Sequence, residues 1–330
     1  MNISIIGSGS FGTSMAIHLA NNAKNIKIWG NDSDVINEIN NNRTNLRYLK
    51  DIHNIPQNIY ASLDMEEVLE GTKYIILAVP SNAIKSISKK INPYLSQNHI
   101  IINLAKGLDE SSFKRLSQVI EEETNSNKVV VLSGPSHAEE IVNNIPTTIV
   151  ASSRDISLAE EVQKDLSTKT LRIYTNPDTI GVEIGGASKN IIALAAGVLD
   201  GLGYGDNAKA ALMVRGLHEI TKIGLALGAE PLTLGGLSGV GDLIVTCTSV
   251  HSRNRQAGIL LAKGNSLDNV LESVGMVVEG VKSCECFYKL SQEMNIELPI
   301  TTSLYNILFN NSAPKDEISN LLKRDKKSEF

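Results

Sequence analysis

Ten residues near the start, Ile3-Ser-Ile-Ile-Gly-Ser-Gly-Ser-Phe-Gly12, constrain this chain more than any other stretch. A short apolar strand pattern runs directly into Gly7-x-Gly9-x-x-Gly12, and Met15, Ala16, Leu19 and Ala20 follow at helical spacing. A bare glycine pattern occurs in many loops, but strand, turn and helix in this order are what a dinucleotide's pyrophosphate needs. Gly7 permits the tight turn, Gly9 lets the backbone approach the phosphates, and Gly12 lets the helix pack on the strand. The first turn of that helix then offers N–H groups to the anion.

At 330 residues the chain has room for two domains. Its 20% charged and 42% hydrophobic residues are an ordinary globular mix, and its formal net charge is −5. That acidity argues against nucleic-acid binding as the main activity and leaves room for a local basic pocket. Cys247, Cys284 and Cys286 make no disulfide framework; Cys284-x-Cys286 is too close for a metal knuckle and lacks a second pair. Reduced packing cysteines in a cytoplasmic protein are expected. The six histidines lack metal-ligand spacing, and G-x-S-x-G, H-E-x-x-H and Walker patterns are absent, so no metal or hydrolytic chemistry is expected. The longest apolar run, residues 191–199, is too short to span a bilayer, and no integral membrane segment is expected. No leader is expected either, because the first residues already form the nucleotide-binding strand.

Strand patterns occur at residues 3–6, 26–29, 74–79, 100–104, 129–132 and 148–151, with a last one near 171–174. Amphipathic stretches at 83–91, 113–122 and 156–166 lie between several of them. The alternation predicts an α/β fold, a Rossmann-type and mostly parallel sheet covered on both faces. After Asn176-Pro177 strand patterns nearly vanish, and helical ones take over at 184–199, 208–227, 255–263, 281–294 and 300–309. The expected domains are therefore 1–178, binding the dinucleotide, and an all-helical 179–330. The charged tail 323–330 is expected to fray.

Ligands of such sheets bind outside the carboxyl ends of the strands. Ala105-Lys106-Gly107 and the segment from Ser133 through Gly134, Ser136 and Ala138 to Glu140 follow two strands there. Lys106 can reach a polar substrate from that edge, or simply be solvated. Lys189 opens an apolar stretch: burial would lower its pKa toward proton exchange near neutrality, whereas a helix-end lysine would snorkel to water. Asp242, in Ser238-Gly-Val-Gly-Asp242, is either a turn residue or a carboxylate held near a catalytic cation. Ser252-Arg253-Asn254-Arg255 precedes a helix, and suits either a phosphate cradle or an N-cap with solvated arginines.

Together these segments resemble the bacterial NAD(P)-dependent glycerol-3-phosphate dehydrogenases. The resemblance runs from Gly7 to about Leu308 and includes Asn42-Arg43, Arg47-Tyr48-Leu49, Val79-Pro-Ser81, Ser188-Lys-Asn190, the stretch from Gly201 to Leu212, Thr246-Cys-Thr-Ser249, Glu279-Gly280 and Leu298-Pro-Ile300. It implies reversible hydride transfer between NAD(P)H and dihydroxyacetone phosphate, giving sn-glycerol 3-phosphate for phospholipid synthesis, by a cytoplasmic homodimer.

Carried over by position, Lys189 would exchange the proton at the substrate oxygen, Lys106 would polarise the carbonyl, and Asp242 could hold Lys189. Gly134, Ser136, Ser252, Arg253 and Asn254 would line the substrate site with them. Gly7, Gly9, Ser10, Phe11, Gly12, Asn31, Tyr48, Lys106, Ala138, Arg253, Val277 and Glu279 would touch the cofactor. Relatives often carry Arg just after the second strand to meet an adenosine 2′-phosphate; here the segment reads Trp29-Gly30-Asn31-Asp32. Asn31 cannot pair ionically, and Asp32 lies one or two residues late for a ribose-binding acid. The choice between NAD and NADP stays open, with NADP preference expected to be weakened. Competing readings are a β-hydroxyacid-type dehydrogenase, disfavoured by Asn190 beside Lys189, and a non-catalytic nucleotide sensor, disfavoured by the intact Lys106, Lys189 and Asp242.

Overall fold

Continuous β-branched runs build the sheet. The computed structural model describes residues 1–330 apart from Met276, Lys327 and Phe330. Its strands are β1 (Asn2–Ile6), β2 (Asn25–Trp29), β3 (Ile59–Ser62), β4 (Tyr74–Leu77), β5 (Ile100–Asn103), β6 (Val129–Ser133), β7 (Thr147–Ser152) and β8 (Leu171–Asn176). They form one eight-stranded sheet in the order β3-β2-β1-β4-β5-β6-β7-β8. Strands β1, β4, β5 and β6 are buried almost throughout, as a sheet covered on both faces requires.

The sheet departs from a purely parallel arrangement at one edge. β6 and β7 pair antiparallel, with Leu132 opposite Ala151, and β8 then runs parallel to β7. A parallel return needs a crossover of a dozen or more residues, usually with a full helix. Residues 134–146 hold only a five-residue helix, so the chain turns back at the edge where β6 ends. β3 is the strand that the sequence pattern missed: it is four residues long and carries an exposed Tyr60.

The first helices are α1 (Ser10–Leu19), α2 (Ser33–Asn37), α3 (Met65–Leu69), α4 (Ile84–Ile91), α5 (Leu116–Thr124), α6 (Ala138–Val142) and α7 (Ile156–Leu166). α1 carries a buried His18, whose Nδ1 lies 3.2 Å from the Ile141 carbonyl and Nε2 2.8 Å from the Thr168 hydroxyl. Burial lowers the pKa of this imidazole below its ordinary value.

The chain divides into two compact units, 1–183 and 184–330. The division falls inside α8 (Thr179–Gly201). Its first turn belongs to the sheet unit, where the buried Glu183 carboxylate accepts from Ser117 N at 2.8 Å, Ser117 Oγ at 2.6 Å and Arg115 Nη1 at 2.5 Å. The second unit is helical: α9 (Asp206–Ala226), α10 (Pro231–Leu234), α11 (Asp242–Thr248), α12 (Arg253–Ala262), α13 (Leu267–Val274), α14 (Glu279–Glu293), α15 (Pro299–Phe309) and α16 (Pro314–Leu322). Of the tail, Arg324 pairs with Glu297 at 3.2 Å, while Lys327 and Phe330 lie outside the described residues.

α8 is longer than the 191–199 run suggests. By length and composition it could cross a membrane, but 94% of its apolar window is buried within the protein, as in a core helix. Its glycines lie within the helix and do not end it, because they sit where other backbone comes close. A first side-chain carbon on Gly197 would collide with the Arg255 carbonyl, and one on Gly258 with the Leu194 carbonyl, so α8 and α12 cross backbone on backbone. At the end of α8, Asp200 accepts from Arg255 Nε at 2.5 Å and Lys209 Nζ at 2.6 Å, tying α12 and α9 to it.

Candidate active site

In the sheet unit, β1, β2 and β4 end level with one another. Ile6 stands opposite Trp29 and Leu77, and the Gly7 N–H reaches the Trp29 carbonyl at 2.8 Å. Gly7 has φ +123°, which an L side chain rarely adopts. Any side chain at Gly12 would collide with the Gly7 carbonyl, yet beside Gly9 there is open space. Gly9 is also the N-cap of α1, and no side chain caps that helix start. An uncapped helix end over an open glycine turn fits a pyrophosphate.

Sequence reasoning missed Asn45. Fully buried, it donates from Nδ2 to the Ser8 carbonyl and to Thr13 Oγ1, both at 2.9 Å, and so ties residues 43–49 to the glycine turn. Nothing in its neighbourhood along the chain marks it, since the bonds span 37 and 32 positions. Phe11 and Tyr48 are partly buried against the same core. Asn31 is exposed, one residue before Asp32, which caps α2.

Lys106 directly follows Ala105, whose backbone N–H and carbonyl are both bonded to the buried Asn103 side chain at 3.1 Å. Its Nζ donates to the Gly134 carbonyl at 2.9 Å and lies 3.5 Å from Ser136 Oγ, itself 2.8 Å from the same carbonyl. Lys106, Gly134 and Ser136 are thus one cluster at the carboxyl edge. Ala138, buried, opens α6 two residues later.

In the helical unit, Lys189 lies in the third turn of α8 and not at a helix start, so snorkelling from an end is ruled out. It is 7% exposed. Its Nζ donates to Asp242 Oδ1 at 2.5 Å and to Thr246 Oγ1 at 2.8 Å. Gly185 makes this possible: any side chain there would push away the Ser238 carbonyl in the turn before Asp242. Thr246, one turn after Asp242 on α11, also bonds the Asp242 carbonyl at 2.6 Å. The i, i+4 spacing of Asp242 and Thr246 is the sequence signal that could have found it. Burial pushes the neighbouring Cys247 thiol up to about 12, opposed by the Lys189 charge.

The segment 252–255 splits in two. Ser252 caps α12 through the Arg255 N–H at 3.3 Å, and Arg253 is exposed beside it. Arg255 is not solvated but paired with Asp200. Asn254 is buried: its Nδ2 donates to Asn190 Oδ1 at 2.9 Å, and its Oδ1 accepts from Gly280 N at 2.8 Å. Asn190 and Asn254 therefore join α8, α12 and α14, next to the Lys189 cluster along α8. Val277 is exposed and Glu279 begins α14. Among the described residues, no three His, Cys, Asp or Glu side chains gather as a metal would need.

Residues 2–159 match the N-terminal region, and residues 178–319 the C-terminal region, of NAD-dependent glycerol-3-phosphate dehydrogenase. The chain belongs to this family. A glycerol-3-phosphate dehydrogenase [NAD(P)+] of Clostridium acetobutylicum is 54% identical over 99% of this chain and 98% of its own. One from Thermoanaerobacter sp. is 51% identical over 100% and 99%. The crystal structure of glycerol-3-phosphate dehydrogenase from Coxiella burnetii superimposes with a TM-score of 0.94 at 35% identity, covering 98% of this chain and 99% of that one.

Proposed function

We propose that this chain is a glycerol-3-phosphate dehydrogenase that reversibly reduces dihydroxyacetone phosphate to sn-glycerol 3-phosphate, the precursor of glycerophospholipids, with NADH or NADPH. The observation that carries this reading is Lys189, a buried ammonium paired with Asp242 and Thr246 in a family member with an open, uncapped glycine turn. A cytoplasmic homodimer acting on a small-molecule substrate is the assembly that goes with it.

The nicotinamide, when bound, supplies or accepts the hydride. Lys189 holds the proton that goes to the oxygen on C2 during reduction and takes it back during oxidation. Asp242 and Thr246 keep its Nζ aimed, and the Asp242 carboxylate compensates its charge in a buried place. Lys106, held by a neutral carbonyl and a hydroxyl, stabilises the negative charge that grows on the carbonyl oxygen. Ser252 and Arg253, at the head of α12, serve the phosphate together with the positive end of that helix. Asn254 spends its carbonyl and one amide hydrogen on Gly280 and Asn190, so it mainly positions that helix head. Gly134, Ser136, Asn31, Tyr48, Ala138, Val277 and Glu279 complete the proposed ligand contacts.

A spectrophotometric assay with dihydroxyacetone phosphate, run in parallel with NADH and NADPH, tests the reading. Cofactor oxidation dependent on this substrate is expected. Turnover with 3-hydroxyisobutyrate but not with dihydroxyacetone phosphate, or tight NADH binding with no turnover at all, would overturn it.

A further inference from the structure

The corner where β2 ends is built differently from its sequence. Gly30 packs so closely on Ser8 that any side chain there would collide with the Ser8 hydroxyl, which puts Asn31 and Asp32 beside the glycine turn. An acid at this place in such folds reads the ribose hydroxyls of a dinucleotide. Asp32 is already engaged. Its Oδ1 caps α2 by accepting from Asp34 N at 3.0 Å and Val35 N at 3.4 Å, and its Oδ2 pairs with Arg47 Nη1 at 2.5 Å.

Arg47 is brought there by a rigid segment, not by chance. Arg43 Nη1 donates to the Ile59 carbonyl at 2.7 Å, and Glu38 accepts from Thr44 Oγ1 at 2.8 Å and Leu46 N at 2.7 Å. Asn45 pins the same segment to the turn. The Arg47 guanidinium lies 5.5 Å from the centre of the Tyr48 ring, and 62% of its side chain is exposed. A pair so open to water is weakly held, so the guanidinium can exchange one anionic partner for another.

Resting on the cofactor reading above, we propose that Arg47 is the residue that selects between the two dinucleotides. It leaves Asp32 to make a two-pronged contact with a 2′-phosphate. When the ribose carries only hydroxyls, it stays on Asp32. The cation that relatives often place directly after β2 is thus supplied here from residue 47, and Asn31 does not exclude NADP.

Calorimetric titration of the full-length protein with 2′,5′-ADP and with 5′-AMP tests this without turnover. Arg47→Leu is expected to weaken 2′,5′-ADP about tenfold, roughly 1.4 kcal/mol, and to change 5′-AMP by less than about twofold. Arg47→Lys retains part of the 2′,5′-ADP affinity. Asp32→Asn keeps the α2 cap, because Asn caps as well as Asp, and frees Arg47. It is expected to tighten 2′,5′-ADP by about threefold. An Arg47→Leu variant that loses both ligands alike, or whose preference moves by less than about threefold, overturns the proposal. Wild-type protein that binds neither nucleotide nor NADH instead overturns the cofactor reading itself.

Discussion

The two lysines proposed for the chemistry are held in opposite ways. Lys106 sits on a half-buried loop and leans on a backbone carbonyl and a serine hydroxyl. Lys189 sits inside a long helix, 7% exposed, against a carboxylate and a threonine hydroxyl. A backbone carbonyl and a hydroxyl orient an ammonium through its hydrogens and do not themselves offset its charge. A carboxylate offsets the charge and makes burial tolerable, so the nitrogen can sit dry beside a reacting oxygen. On the proposed reading, one lysine attracts and polarises, and the other holds and passes a proton.

Removing each nitrogen in turn is the strongest way to break this contrast. Lys189→Ala is expected to lower kcat by about 100-fold or more while NADH affinity, followed by fluorescence titration, stays nearly unchanged. A variant that keeps most of its turnover would take the proton role from Lys189. Lys106→Ala is expected to raise the substrate KM by about tenfold. An unchanged KM would take Lys106 out of the substrate site and leave it a structural tie to Gly134.

His18 sharpens the same contrast at its smallest scale, because it is a buried base with neutral partners and no compensating carboxylate among the bonds described. Its folded pKa lies below the unfolded value of 6.5. The unfolded chain therefore takes up a proton that the folded chain refuses, and stability falls as pH drops below about 6.5. Melting curves between pH 7.5 and 5 should show a smaller loss for His18→Gln than for the parent. Equal losses would show that the imidazole is not a source of acid sensitivity.

The glycine turn was legible because strand period, turn residues and helix period meet within about twenty positions there. The Lys189–Asp242 pair was suggested by the family resemblance and by no local pattern, since 53 positions separate the two residues and no period links them. The helical pattern emerges only from residue 184, but α8 begins at Thr179 and runs through Gly185 and Gly186. Close backbone contact, which a one-dimensional pattern cannot carry, overrides the poor helix propensity of glycine at Gly185 and Gly197. β3 was hidden for a different reason: an edge strand of four residues, Ile-Tyr-Ala-Ser, is too short to show an alternation.

Where α8 and α12 cross at Gly197 and Gly258, no side chain stands between the two backbones. Most helix pairs can absorb mutation by trading one apolar residue for another, and their spacing drifts as they do so. This pair has nothing to trade. Any replacement of Gly197 or Gly258 must spread the helices, and any spread separates Lys189 on one from Ser252 and Asn254 at the head of the other. The separation between Lys189 and the head of α12 is therefore inherited as a fixed length, kept by two residues that carry no chemistry of their own.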